Sequence, residues 1–136
     1  MTPETKKTSG VVLITVPSIT YGGYFLLSVL NGYHDHLQLT EFQKAMFRAG
    51  HAHAGVLVIF SLVAFLYIDM AKLSVFWKMC VRISFPLSAI LISGGFFAAA
   101  SEPGATQSNQ LILILYTGIV ALVVGVSTLG IGLLKK

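Results

Sequence analysis

PGATQSNQLILILYTGIVALVVGVSTLGIGLL, from Pro103 to Leu134, contains no Asp, Glu, Lys or Arg. A run of this kind exceeds the ~20 residues a helix needs to cross a ~30 Å hydrocarbon core at 1.5 Å per residue. Three more uncharged runs precede it: Thr8 to Tyr33, Ala49 to Ile68 and Ile83 to Ser101. A spanning segment must satisfy its own backbone in lipid, and a lone strand cannot, so each run is predicted to be a helix. The expected fold is all-α, a four-helix transmembrane bundle in a single domain covering residues 1–136. Its spans are placed at about 10–32, 46–68, 81–100 and 109–134.

Composition agrees. Charged residues make up 10% of the 136 and hydrophobic ones 55%, with a mean hydropathy of +0.82. A soluble domain dresses its surface with about 25% charge, so lipid has to serve as solvent here. One cysteine, Cys80, excludes an intrachain disulfide and a cysteine-based metal framework. Asp69-Met70-Ala71-Lys72 and Ser101-Glu102-Pro103-Gly104 read as a short polar loop and a turn. Lys6-Lys7 ahead of the first run resembles a signal-peptide opening, but no small-x-small site follows, so this span is expected to stay attached.

The basic residues sort by side. Lys6, Lys7, Lys72, Lys78, Arg82, Lys135 and Lys136 fall with the termini and the second loop, and only Lys44 and Arg48 fall opposite. The positive-inside rule then makes both termini cytoplasmic, in a multi-pass protein of a cell membrane, the bacterial inner membrane. The pI near 9.4 is thereby a topology signal, and nucleic acid drops out as a partner. The lipid bilayer is the first partner, with a homo-oligomer or a larger membrane complex as the second.

Small residues at Gly118, Ala121, Gly125, Thr128 and Gly132 alternate spacings of three and four. In lipid, helices associate by close backbone approach rather than by hiding apolar surface, so this stripe is predicted to face another helix. Ser84, Ser88, Gly95 and Ala99 in the third span offer the matching face, and Ser18 with Gly22 a smaller one in the first.

All the histidines, His34, His36, His51 and His53, lie in one stretch on the outer side, with Asp35 and Glu41 among them. Thr40 and Gln43 fit a capping box that starts the helix leading into the second span. Within that helix His51 and His53 point ~200° apart, so a single site cannot use both. Imidazole is the commonest metal ligand and titrates near neutrality. Three readings follow. The four histidines hold a transition metal such as Cu or Zn, or His51 and His53 serve a haem. They sense or conduct protons. Or they are solvated groups in an accessory subunit.

His51-Ala52-His53-Ala54-Gly55 opening an apolar helix resembles the histidine-led transmembrane helix of haem-copper oxidase subunit I. It is also similar to the His-x-His openings of small four-span membrane proteins. The resemblance implies that His51 or His53 is an axial haem ligand near the outer face, in electron transfer. The later histidine-bearing helices of that family have no counterpart, so it implies one bis-histidine haem rather than an oxygen-reducing centre. Arg48-Ala49 also resembles the second-span opening of the membrane-associated eicosanoid and glutathione metabolism family. There Asn and Glu serve glutathione; His51 and His53 stand here instead. No nucleophile triad, phosphate loop or Cys-x-x-Cys marks an enzyme.

Overall fold

The computed structural model describes residues 1–34 and 37–136. It contains four helices, α1 (Pro3–Leu30), α2 (Glu41–Ile68), α3 (Val75–Ala99) and α4 (Ile112–Leu134). Each is long and apolar enough to cross a membrane, so the chain is a multi-pass integral membrane protein with an all-α architecture. The helices run up and down in chain order, and each packs chiefly on its neighbour in sequence. Both termini therefore lie on the side of the α2–α3 loop. The array is open: α3 packs most extensively on α4, then on α2, and α1 rests on α2 with little contact to α3 and none to α4.

Local chemistry sets the ends of the helices. Thr2 caps α1, its hydroxyl accepting from the Thr5 N–H. At the other end Gly32, with φ 77°, carries the chain out of the helix. The Tyr33 N–H donates to Ser28 O at 3.0 Å and the Gly32 N–H to Val29 O at 3.2 Å, which is the Schellman closure. The capping box at Thr40 and Gln43 is present. Ser74 caps α3. Pro103 followed by Gly104 at φ 71° makes the turn after α3, closed by the Ala105 N–H on Glu102 O at 3.1 Å. Pro17 and Pro86 sit inside α1 and α3, and both helices continue through them.

The small-residue stripe of α4 faces α3 of the same chain. A Cβ on Gly118 would lie 2.8 Å from the Ile92 backbone nitrogen, and one on Gly125 would strike the Ser84 hydroxyl. From the α3 side, a Cβ on Gly95 would come 2.5 Å from the Leu115 backbone nitrogen. Gly132 takes the side chain of Leu73, and beside it the Lys72 N–H donates to Gly132 O at 2.8 Å. The core of the array gathers Leu57, Phe65, Ile68, Val81, Phe85 and Ile92 around this seam and the α2–α3 contact.

A polar knot ties α1 to the other helices on the terminal side. Asp69 Oδ2 accepts from the Thr2 N–H at 2.6 Å; Oδ1 accepts from the Thr5 hydroxyl at 2.9 Å and from Arg82 Nη2 at 3.1 Å. Arg82 Nε donates to Thr5 Oγ1 at 2.9 Å, and Lys78 Nζ to the Asp69 carbonyl at 3.0 Å. Arg82 is only 9% exposed and Thr5 is fully buried. Burial alone pushes the Asp69 carboxyl up, but the bonds from Thr2, Thr5 and Arg82 outweigh it and hold it below the ordinary aspartate range.

Candidate functional site

The ends of α1 and α2 remote from the termini carry the described histidines, and the α3–α4 loop folds over this end to fix α2 in place. Gln43, 4% exposed, donates its side-chain amide to Ala100 O and Glu102 O, both at 3.0 Å. The Thr40 hydroxyl donates to Ala105 O. Asn109 joins the same end, its N–H on Ala99 O at 3.0 Å and its side-chain amide on Ala98 O at 3.2 Å. Five backbone carbonyls at the end of α3 and in the loop are thereby satisfied, and the first turn of α2 has fixed neighbours.

From that anchored start α2 presents its two histidines to different helices, as their spacing of two requires. His51 turns to α1. Its ring edge fills the place of a side chain at Gly23, where a Cβ would come 2.8 Å from both Cε1 and Nε2. The glycine that admits it is Gly23; a Cβ on Gly22 would meet nothing within 4 Å. His53 turns the other way and stacks on Phe96 of α3, ring centroids 5.0 Å apart. Its Nδ1 lies 2.7 Å from Ala49 O, one turn back on its own helix. A carbonyl oxygen can only accept, so Nδ1 carries the hydrogen. In the neutral ring Nε2 is then the nitrogen with the lone pair. The side chain is exposed at the surface of the array. Close by, Gly50 lets α2 approach α3 at Ser93 O and Phe96, and Phe47 stacks on Phe97 at 5.3 Å.

His34 belongs to the end of α1. Its Nε2 lies 3.1 Å from Ser28 Oγ, and its ring 5.5 Å from that of Phe25. The Ser28 hydroxyl already donates to Phe25 O at 2.7 Å, so the imidazole N–H is the donor to it. His36 and Asp35 lie outside the described residues. Of the four histidines, then, the structure sets His34 and His51 against α1 and His53 against α3. Among the described residues no three His, Cys, Asp or Glu side chains gather as a metal would need. A ligand set confined to the described part of one chain is thus limited in number, and His53 is the imidazole whose geometry suits a ligand best. Hydrogen bonding of one ring nitrogen to a backbone carbonyl fixes the ring and raises the basicity of the other.

The sequence reading named His51 and His53 but not the groups that orient them. Gly23, Phe96 and the Ala49 carbonyl carry no motif. The one signal in reach was that the residue four before His53 places a carbonyl beneath its ring. The chain matches no protein-family model, no curated protein and no solved structure.

Proposed function

We propose that this four-span membrane protein binds a haem or a transition metal at its outer end through His53, as a one-electron carrier. The observation that supports it is the His53 ring itself, pinned through Nδ1 on Ala49 O at 2.7 Å with Nε2 directed away from its own helix. Phe96 against one side of the ring keeps it from swinging. A flat macrocycle on this surface needs a second axial ligand, and the open array leaves room for one from a second copy or from another subunit. His51, with its ring edge against Gly23, has less freedom to serve. The orientation proposed with it is cytoplasmic termini, from seven of the nine Lys and Arg residues on that side.

An absorption spectrum of the purified full chain tests the reading. A haem protein shows a Soret band that His53→Ala removes and His51→Ala keeps, with helix content unchanged in both. Stoichiometric copper by elemental analysis, lost in the same variant, supports the metal form; zinc, which has no second oxidation state to use, would leave the binding and remove the electron transfer. A colourless, metal-free protein overturns it. The second reading, an accessory subunit of a membrane complex, is favoured by the open array, in which α1 and α4 do not meet. Co-purification of a stable larger assembly together with a colourless spectrum would select it.

A further inference from the structure

The basic residues on the terminal side divide by what they touch. Arg82 and Lys78 are spent on Asp69, the first on its carboxylate at 3.1 Å and the second on its carbonyl at 3.0 Å. Lys6 and Lys7 belong to α1, which does not touch α4. Lys72 and Lys135 are brought together at the end of α4. The Lys72 N–H donates to Gly132 O at 2.8 Å and Leu73 packs on the bare face of Gly132, so the α2–α3 loop is stitched to the last turn of α4. Both lysines are exposed, and with the described residues neither ammonium makes an ion pair or a hydrogen bond. The acids at this end serve elsewhere. Asp69 is taken by Thr2, Thr5 and Arg82, and Glu4 lies on α1.

Below these lysines, between the start of α3 and the last two turns of α4, runs a groove of about 270 Å³. Its lining changes character with depth. Lys135 stands at the mouth, just past the end of α4; Leu73 and Ile131 form the wall; Thr128 lies seven residues deeper than Lys135, about 10 Å along the axis. Trp77 makes the other side, 47% exposed and edge-on to Phe76. Tryptophan settles at the level of lipid headgroups, which puts the two ammonium groups at the height of the phosphates.

We propose that this groove seats an anionic phospholipid, its phosphate on Lys135 and Lys72 and one acyl chain descending along Leu73 and Ile131. Charge and shape select the occupant. Two unpaired ammonium groups above an apolar wall match an amphiphile with an anionic head and an apolar tail. A zwitterionic lipid brings a cation of its own back to the lysines, and a soluble phosphate leaves the wall unused. The volume takes the upper part of one chain, and the rest of the lipid stays in the bilayer. The groove lies at the opposite end of α2 from His53 and is independent of any ligand there.

Trp77 is the one tryptophan of the chain, so its fluorescence reports on this groove alone. The test reconstitutes the full chain in vesicles of phosphatidylglycerol and phosphatidylcholine in equal amounts, with brominated acyl chains on one lipid at a time. Bromine quenches an indole that it touches. Bromine on phosphatidylglycerol should quench more than bromine on phosphatidylcholine, with a preference of about fivefold for each lysine that reaches the phosphate. Lys135→Gln should cut that preference about fivefold, and at an exposed position it should leave the helix content as it is. Lys6→Gln with Lys7→Gln should leave the preference unchanged, as should His53→Ala, so a failure of the haem or metal reading does not register here. Equal quenching by the two brominated lipids would overturn the proposal. So would a loss in the Lys6, Lys7 variant as large as that in Lys135→Gln, which would assign the preference to the general field of the terminal side. Inorganic phosphate that relieves the quenching at constant ionic strength would also overturn it, since the site would then bind the anion without the lipid.

Discussion

Where α3 meets α4, Gly95, Gly118 and Gly125 bring two backbones so close that a single added carbon has nowhere to go. Where α1 meets α2, one glycine admits one imidazole, a cavity opens beneath it, and the terminal end is held by a carboxylate and a guanidinium. Both are antiparallel contacts in the same solvent. The first relies on continuous van der Waals packing, the interaction that lipid does not weaken. The second relies on a few directional bonds at one end and leaves the middle loosely packed. A helix held in this second way tolerates a gap at its seam, and one held in the first way does not.

That contrast can be broken by substitution. Gly95→Val should be the most damaging, about 3 kcal/mol, because the atoms it strikes are backbone atoms of α4 that cannot turn aside. Thermal melting in detergent reads it, and a wild-type melt would mean the α3–α4 seam is not close-packed. Arg82→Met should cost about 2 kcal/mol. It leaves Asp69 with its threonine partners but no cation, a partly exposed version of breaking a buried ion pair. Its signature should be local: amide exchange rises in the first turns of α1 and stays slow in α4.

Acid should act on the same end. The Asp69 carboxyl is held below its usual range in the folded protein, so its contribution is complete above the pKa of the unfolded chain. It is lost only as pH falls through the lowered value, beneath the ordinary aspartate range. Exchange protection at the start of α1 should fall in that window while the α3–α4 seam stays protected, and Asp69→Asn should flatten the dependence. The smallest effects belong to the paired glycines of α1. Gly22→Ala should stabilise by about 0.5 to 1 kcal/mol, since its new methyl meets nothing and the helix gains propensity. Gly23→Ala should gain less or lose slightly, because the His51 ring edge has to shift. Equal melts for the two would detach His51 from α1.

Much of this architecture was legible from charge placement and spacing. Uncharged runs gave the four helices. The alternation of three and four from Gly118 to Gly132 gave a seam, and the structure supplies α3 as its other side. The divergence of His51 and His53 followed from helix geometry alone. What the sequence did not give is where tertiary contact selects among equivalent residues. In α1 the face expected from Ser18 and Gly22 is not the one that packs: Gly22 meets nothing and Gly23 admits His51, because apolar side chains surround this helix almost uniformly and spacing could not separate the two glycines. Arg82 reads as one more inner-side charge, and only the fold of residues 2–5 onto Asp69 turns it inward.

The knot around Asp69 also has a consequence for biogenesis. Thr5 is 64 residues from Asp69 and 77 from Arg82 along the chain. At ~5–20 residues per second, the ribosome delivers Arg82 on the order of 4 to 15 seconds after Thr5. Throughout that interval α1 is in the membrane without the groups that secure its terminal end. Of the helices, α1 therefore waits longest for the contact that secures it, whereas α4 meets a finished α3 as soon as it inserts. Substitutions in the knot should accordingly lengthen the period in which quality-control proteases can capture the nascent chain, and lower the yield of mature protein more than its melting temperature.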